Sequence, residues 1–335
     1  MKIAIVITAK NEARVLRNNI LYHKAIGISK AFVYFDNTTD QGKESISDID
    51  IVEVSESIVN EYKDQDNLQK FNDKSKDHHT ARQCLNTYDA IQKCKTLGID
   101  WLISLDADEL ICTNLDDPTN LGFFFNEIKD STDLVTFLPY ELLQSQLHFE
   151  NVFAEAHYFK ATHKFNRKID RIYKAFYNPF TKTNIKFSYW YGQHLGKVAV
   201  RVNSNQEIIP KNVHRYTYSD GEPIESISVK GMLHYHMYDA NDFVKKFKNF
   251  KNRPDHFLSG NKVESLKLLC RDIVNSDIYS EAELHDYYSS NVMFSAKELK
   301  ELITNKNKLF INRREPSVIK ITSVKKVFSK INAKV

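Results

Sequence analysis

Residues 101–109 have the sequence WLISLDADE, in which a short apolar run is followed at once by an acidic group. A continuous apolar run of this length is typical of a strand that is buried on both faces, as in a parallel sheet. Ligands of open α/β sheets bind beyond the carboxyl ends of the strands. The sequence therefore predicts that Asp106, Ala107 and Asp108 lie at the mouth of a binding site.

Units of the same kind precede this stretch. Strand and helix patterns alternate, with strands at 3–8, 31–35 and 49–54 and helices at 12–26 and 80–97. This β-α-β order is typical of an open, mostly parallel sheet with crossover helices on its faces. Further strand patterns occur at 134–138 and 197–202, and residues 239–305 have a helical pattern. We therefore predict an α/β fold with a helical C-terminal extension.

The composition indicates a soluble globular protein, with 42% hydrophobic, 12% aromatic and 27% charged residues. The four cysteines form no CxxC pair, so we expect reduced thiols and a cytoplasmic location. The apolar run at the N-terminus is too short for a signal peptide, and no run of about 18 apolar residues occurs that would span a membrane.

The net charge of +4 is unevenly distributed, since residues 306–335 carry nine Lys or Arg and one Glu. In this tail Ile321, Val324, Phe328 and Ile331 follow helical spacing, with lysines around most of the remaining surface. Such a basic amphipathic helix can lie in the interface of an anionic membrane. The alternatives are a helix packed on the body of the protein and a disordered basic tail.

Asp106 and Asp108 are spaced i, i+2, so both carboxylates can face one hard cation. Mg²⁺ or Mn²⁺ held in this way can also ligate a diphosphate and neutralise its charge. The alternative for this DxD motif is a surface turn after a strand.

Four separated motifs occur in a fixed order along the first third of the chain. They lie in ITAKNEARVLRNNILYHKAIGISKAFVYFDNTTDQG (7–42), RQCLNTYDAI (82–91) and DWLISLDADEL (100–110). In this order they resemble glycosyltransferases of families 2 and 92, chiefly the bacterial family 2-like enzymes. The resemblance is close over residues 3–112 and looser through GKVAVRVN and HYHMYDANDFVKKF, while residues 141–194 do not align. It implies a GT-A fold, a divalent metal, a UDP-sugar donor and inversion at the anomeric carbon.

The resemblance also implies a nucleotide pocket. Its residues would follow the predicted strands or begin the helix before WLISL: Thr8, Lys10, Asn11, Glu12, Asp36, Asn37, Arg82, Gln83, Asp106 and Ala107. Asp36 resembles the family acid that hydrogen-bonds the base, and Arg82-Gln83 resembles a pair near the donor. The alternatives are that Asn11 caps the first helix and that Arg82 and Gln83 lie on an exposed helix face.

His234 and His236 resemble the late histidine that GT-A enzymes commonly bring to the metal. On a strand, residues at i and i+2 point to the same face, so both imidazoles can approach one ion. Imidazole is acceptable to Mn²⁺ and less so to Mg²⁺. We therefore predict Asp106, Asp108, His234 and His236 as metal ligands; His214 is a further candidate, and a structural role is the alternative for each histidine.

An inverting transfer needs a general base that deprotonates the acceptor hydroxyl. Of the acids in the middle of the chain, Glu141, Glu150, Glu155 and Asp170, we favour Glu155 and Asp170. Phe243, Phe247 and Phe250 predict a buried helical stripe, and the lysines between them either reach the diphosphate or face solvent.

The predicted organisation is a GT-A domain at 1–238, a helical extension at 239–305 and a basic amphipathic tail at 306–335. Within the first domain the nucleotide-sugar half spans about 1–112 and the acceptor half 113–238. The basic tail would place the protein on the inner face of the membrane as a peripheral protein.

The predicted function is an inverting, metal-dependent glycosyltransferase, most simply a hexosyltransferase. It would move a sugar from a UDP-sugar to a glycan or lipid-linked acceptor in cell-surface polysaccharide or lipopolysaccharide synthesis. The alternatives are a nucleotidyltransferase, disfavoured because ITAKNEA lacks glycine, and an inactive sugar-nucleotide-binding protein. The acidic body disfavours nucleic-acid binding.

Overall fold

A mixed, ten-stranded sheet organises the computed structural model, which describes residues 1–118, 120–161, 195–258, 260–263, 265–304 and 318–333. The strands, including the separate hairpin β9–β10, are β1 Ile3–Ala9, β2 Lys30–Phe35, β3 Val52–Glu56, β4 Trp101–Leu105, β5 Glu109–Ile111, β6 Leu134–Leu142, β7 Tyr158–Ala161, β8 Lys197–Arg201, β9 Ile208–Asn212, β10 Arg215–Tyr218, β11 Ser226–His234 and β12 Val318–Lys320.

Helices cover both faces of this sheet. They are α1 Ala13–Ala25, α2 Gln69–Asn72, α3 His79–Leu97, α4 Leu121–Asn126, α5 Val152–Glu155, α6 Ala240–Asn249, α7 Ser265–Val274, α8 Glu281–Asn291, α9 Ala296–Thr304 and α10 Ser323–Asn332, with short 3₁₀ turns at Glu44–Ile46 and Asp66–Leu68. Among the described residues, no helix combines the length and apolar character that crossing a bilayer requires.

The first half of the sheet is parallel, in the order β3-β2-β1-β4. Ile3, Ile5 and Ile7 of β1 pack into one hydrophobic cluster, whereas Ala4 and Val6 pack into another on the opposite face. Both faces of the strand are therefore buried, which is why its sequence is continuously apolar. The α/β fold predicted from these runs is confirmed.

The second half of the sheet is antiparallel where β8 inserts between β4 and β6. The sheet is therefore mixed, and the expectation of a mostly parallel sheet holds only for the first half. Gly196 makes this insertion possible, because a Cβ there would lie 2.1 Å from the carbonyl oxygen of Phe137. A pairing of this kind depends on the tertiary approach of two backbones, which strand periodicity does not encode.

Strand β11 joins the two halves of the chain at the edge of the binding site. It pairs parallel to β6 and antiparallel to the short β5, in a register that places His234 opposite both Glu109 and Glu141. Immediately after the strand, the Tyr235 backbone N–H donates to the Asp108 carbonyl at 2.8 Å. This pairing brings residues from the far end of the chain to the acidic turn after β4.

The end of the chain packs on the body of the protein. Strand β12 pairs with β7, and α10 buries Val324, Val327 and Phe328 at 2–3% exposure. The Phe328 ring stacks on Tyr22, with 6.0 Å between the ring centroids. The prediction that this apolar stripe enters a membrane interface is therefore wrong, because the stripe belongs to the main hydrophobic core. Because the lysines of α10 are exposed, contact between this helix and an anionic surface stays a prediction.

Candidate active site

A cavity of about 300 Å³ opens beyond the carboxyl ends of β1 and β4 and is lined on one side by residues from 242–258 and 267–271, together with Val263. Nine of the residues predicted from the sequence line it: Thr8, Lys10, Glu12, Gln83, Asp106, Ala107, Asp108, His234 and His236. The position follows the general rule for open α/β sheets, in which the loops after the strands form the site.

Asp108, His234 and His236 form a cluster that can hold a metal ion, with one potential ligand atom from each lying within 4.8 Å of the others. Both histidines are buried, and Asp108 is largely enclosed. The register of β11 against β5 explains this convergence of residues more than 120 positions apart. One carboxylate with two imidazoles is a ligand set that suits Mn²⁺ better than Mg²⁺.

Asp106 lies outside this cluster, so its role as a second metal ligand stays a prediction. Its carboxylate accepts from Gln83 Nε2 at 2.5 Å and lies 2.9 Å from Lys197 Nζ. Burial alone would raise the pKa of Asp106, but the charge of Lys197 lowers it below its usual value. Asp106 is therefore held as a carboxylate, with 41% of its side chain exposed toward the cavity.

Lys197 and Glu109 complete this arrangement, and no sequence motif assigns either residue a site role. The Lys197 ammonium is 3.5 Å from Glu109 Oε2, and Glu109 in turn accepts from the Asp106 backbone N–H at 2.8 Å. Burial raises the pKa of Glu109 to about 8, against the effect of Lys197. The feature of the sequence that could have indicated Lys197 is that a lysine begins the otherwise apolar strand KVAV.

Glu141 orients His234. Both of its carboxylate oxygens lie 3.0 Å from His234 Nδ1, which leaves Nε2 facing Asp108 Oδ2 at 3.7 Å. A carboxylate that holds the second nitrogen of an imidazole fixes the tautomer and orientation of a metal ligand. Glu141, one of the acids considered as a general base, therefore has a positioning role.

Replacing Glu141 by Gln should weaken Mn²⁺ binding by about 10- to 100-fold, the usual effect of losing such an outer partner. Isothermal calorimetry measures this directly. Glu150→Gln is the control, because Glu150 is exposed and, within the part of the chain that the structure describes, forms an ion pair with His148 alone. Equal Mn²⁺ affinities of wild-type protein and Glu141→Gln would contradict the role given to Glu141.

His236 and Asp108 share a second neighbour, Lys246 of α6. The Lys246 ammonium is 2.6 Å from His236 Nδ1 and 3.4 Å from Asp108 Oδ2. Burial, together with this ammonium, lowers the pKa of His236 well below its usual value. Burial alone would raise the pKa of Asp108, but Lys246 and His234 lower it strongly.

Asp36 is buried and paired within the protein rather than exposed to the cavity. Its carboxylate accepts from His79 Nδ1 and from both Arg82 Nε and Arg82 Nη2, the last at 2.9 Å. Burial would raise the pKa of Asp36, but these two partners hold it well below its usual range. The start of α3 therefore supplies the partners of Asp36, and of these three residues His79 lines the cavity. Direct contact of Asp36 with the base stays a prediction.

In the KNE motif, the side chains of Lys10 and Glu12 line the cavity, and those of Asn11 and Glu12 contact α6. Lys10 lines the cavity, while the Asn11 amide donates to Asn249 Oδ1 at 3.1 Å. Glu12 pairs with Lys245 at 2.6 Å, and burial raises the pKa of Glu12 to about 7. Asn11 is not the N-cap of α1, a position taken by Glu12.

Of the remaining predicted residues, His214 lines the cavity, and the others lie away from it or outside the described residues. Asn37 is exposed at a positive φ of 53°, and Glu155 is exposed and accepts from the Asn151 N–H at 2.6 Å. Glu155 therefore ends a short helix outside the lining of this cavity, and its role as a general base stays a prediction. Asp170 lies outside the described residues. His214 lines the cavity with its Nδ1 on the Gly196 carbonyl at 3.0 Å.

Arg253 adds a cation to the cavity wall that contains α6. Its guanidinium lies over the Phe250 ring, 4.0 Å from the centroid, and the side chain faces the cavity. In the described part of the chain, no carboxylate lies within ion-pair distance of it, in contrast to Arg271, which contacts Asp255 at 2.7 Å. The cavity therefore contains an arginine available to an anionic ligand.

No family model matches the chain. It is similar to two glycosyltransferase-like proteins of Arabidopsis thaliana. One is 23% identical over 239 residues, covering 68% of this chain and 52% of that protein; the other is 24% identical over 221 residues, covering 66% and 42%. The chain thus spans about half the length of the curated relatives it matches.

Similarity to solved structures is more distant. A mycobacterial protein superposes with a TM-score of 0.35 and 10% identity, over 76% of each chain. Glucosyl-3-phosphoglycerate synthase from Mycobacterium tuberculosis, in complex with Mn²⁺, uridine diphosphate and phosphoglyceric acid, superposes with a TM-score of 0.29 and 10% identity. That superposition covers 60% of this chain and 56% of the other.

Proposed function

We propose that this protein is a glycosyltransferase that moves a sugar from a nucleotide-sugar to a hydroxyl of an acceptor. The observation that carries the proposal is the Asp108–His234–His236 cluster, which opens into a cavity at the carboxyl ends of the parallel strands. Similarity to two glycosyltransferase-like proteins and the motif order in residues 7–110 support the same class of enzyme.

The side chains of the cluster fit a divalent cation, and they suit Mn²⁺ better than Mg²⁺ because two of the three ligands are imidazoles. Asp108 would hold the ion together with His234, which Glu141 orients, and His236. When bound, such an ion acts as a Lewis acid that neutralises charge on a leaving diphosphate.

Other lining residues form three groups around the cluster. Lys246 and Arg253 are cations at the cavity wall and would contact the phosphates of the donor by charge-assisted hydrogen bonds. Asp106 presents a carboxylate already balanced by Lys197, which suits it to accept from sugar or ribose hydroxyls. Thr8, Lys10 and His79 lie further along the same cavity, where we place the nucleoside of a UDP-sugar.

The reaction we propose is direct displacement at the anomeric carbon, with inversion. A general base takes the proton of the acceptor hydroxyl, and its oxygen forms the new bond to carbon as the bond to the nucleoside diphosphate breaks. Binding donor and acceptor side by side supplies much of the rate through proximity and orientation. We propose a glycan or lipid-linked acceptor, as in synthesis of cell-surface polysaccharide. The exposed lysines of α10 would then hold the enzyme at the cytoplasmic membrane surface.

A screen of nucleotide-sugars by thermal unfolding, with Mn²⁺, Mg²⁺ or chelator, tests the function. A ligand at 100 times its Kd stabilises the folded state by about 2.7 kcal/mol, so the correct donor should raise the Tm measurably. We expect stabilisation by a UDP-sugar with Mn²⁺, reduced in chelator, and metal-dependent donor hydrolysis. Stabilisation by no nucleotide-sugar under any condition would contradict the proposal. Consumption of a nucleoside triphosphate with a sugar 1-phosphate would identify a nucleotidyltransferase instead.

A further inference from the structure

Lys246 occupies an unusual place for a lysine on a helix beside a candidate metal site. Its ammonium contacts two of the three residues of the cluster, His236 Nδ1 at 2.6 Å and Asp108 Oδ2 at 3.4 Å. Both atoms are acceptors that a metal ion would use. The protein's own cation therefore lies where its ligands converge.

The contact with His236 excludes a metal ion at that residue. A neutral imidazole has one N–H and one lone pair. If Nδ1 accepts from the Lys246 ammonium, then Nε2 carries the hydrogen, so neither nitrogen can bind a metal. The Lys246 ammonium and a divalent cation bound to the same residues would also repel each other. The Lys246 contact and metal binding are thus alternatives.

Helix α6 is anchored so that Lys246 is delivered to this position. Asp239 caps the helix by accepting from the Asp242 N–H at 2.9 Å and is bound by Arg14 of α1 at 2.7 Å. The neighbouring Lys245 is held by Glu12 and Asp242 at 2.6 and 2.7 Å. The Lys246 side chain is 21% exposed and lines the cavity, so its ammonium can turn from the cluster toward a ligand.

We infer that Lys246 is a tethered cation that holds the Asp108–His236 pair before metal binds and contacts the donor phosphates afterwards. This inference rests on the proposed function and deepens it. Lys246 is a positioning residue in the first arrangement, because it balances the buried charge of Asp108 and keeps the ligands together. In the second it balances the negative charge of the diphosphate. Metal and nucleotide binding are therefore coupled through one side chain.

The inference predicts opposite effects of one substitution on two affinities. Lys246→Met keeps most of the side-chain volume and removes the charge. Mn²⁺ should bind the nucleotide-free variant about tenfold more tightly, if the lysine-bonded arrangement holds about 90% of the free protein. At saturating Mn²⁺, UDP should bind the variant about tenfold or more weakly, since a charge-assisted hydrogen bond is lost.

Isothermal calorimetry with Mn²⁺ alone, and with UDP at saturating Mn²⁺, measures both effects. Lys248→Met is the matched control, since Lys248 is exposed on the same helix and does not line the cavity; both affinities should stay at the wild-type values. If Lys246→Met does not fold, Lys246→Gln retains a hydrogen-bond donor without the charge and should change both affinities in the same directions. Thermal unfolding checks the fold of each variant.

The outcomes separate this inference from the proposed function. Unchanged or weaker Mn²⁺ binding by a folded Lys246 variant, while wild-type protein binds Mn²⁺ through Asp108, would overturn the inference alone. Failure of both wild-type protein and the variant to bind Mn²⁺ would overturn the inference and the metal site together. Tighter Mn²⁺ binding with unchanged UDP affinity would overturn the contact with the donor.

Discussion

Replacing Asp108 by Asn should remove Mn²⁺ binding and lower kcat/KM for sugar transfer by more than about 100-fold. The loss should exceed the 10- to 100-fold that removal of an outer partner causes, because Asp108 contributes the only carboxylate of the three-residue cluster. Calorimetry with Mn²⁺ and an assay of donor hydrolysis measure the two effects. The fold should survive, since Asp108 lies in a loop at the cavity rather than in the hydrophobic core.

Asp106→Asn is the matched comparison, because Asp106 belongs to the same motif and differs in its neighbours. It lies outside the cluster and is held by Lys197 and Gln83, so this variant should keep Mn²⁺ affinity within a few-fold of the wild-type value. We expect the Asp106→Asn variant to bind the nucleotide more weakly instead. Equal loss of Mn²⁺ binding in both variants would show that both aspartates are ligands, as the sequence motif alone suggests.

Removing residues 321–335 should unfold the protein rather than release it from a membrane. Four side chains at the start of this segment are almost fully buried: Ile321, Val324, Val327 and Phe328. Burying each contributes roughly 1.5–3 kcal/mol, or about 6–12 kcal/mol together, which is comparable to the whole stability of a typical domain at about 5–15 kcal/mol. Soluble yield and thermal unfolding of the truncated protein measure the effect.

The lysines of α10 provide the control for this truncation. Replacing Lys325, Lys326 and Lys330 by Gln changes exposed positions only and should leave the Tm within about a degree of wild type. The same variant tests the membrane proposal, since it should lose any sedimentation with anionic liposomes that the full-length protein shows. A truncated protein that unfolds at the wild-type Tm would contradict the packing role of the tail.

The local patterns of the sequence determined the parallel half of the fold and the place of the site. Apolar runs predicted β1, β2 and β4 to within two residues at each end, and α3 ends at Gly98, whose φ of +62° suits a glycine. The apolar pattern predicts that the third strand starts at Ile49, three residues before β3 begins. Residues Ile49–Val52 form a turn instead, in which the Val52 N–H donates to the Ile49 carbonyl. The acidic turn after β4 was predicted correctly as the mouth of the cavity.

Only the tertiary structure decided which polar groups meet in that cavity. The pairing of β11 with β5 and β6 selects His234 and His236 as neighbours of Asp108 and gives Glu141 its partner. The insertion of β8 brings Lys197 to Asp106, and α3 takes the Asp36 carboxylate. These contacts join residues 43 to more than 120 positions apart, and strand register and helix docking determine them. The tail shows the same limit, since a stripe of apolar residues packs equally well on a protein core or a membrane, and its position beside Tyr22 and Phe153 decides between them.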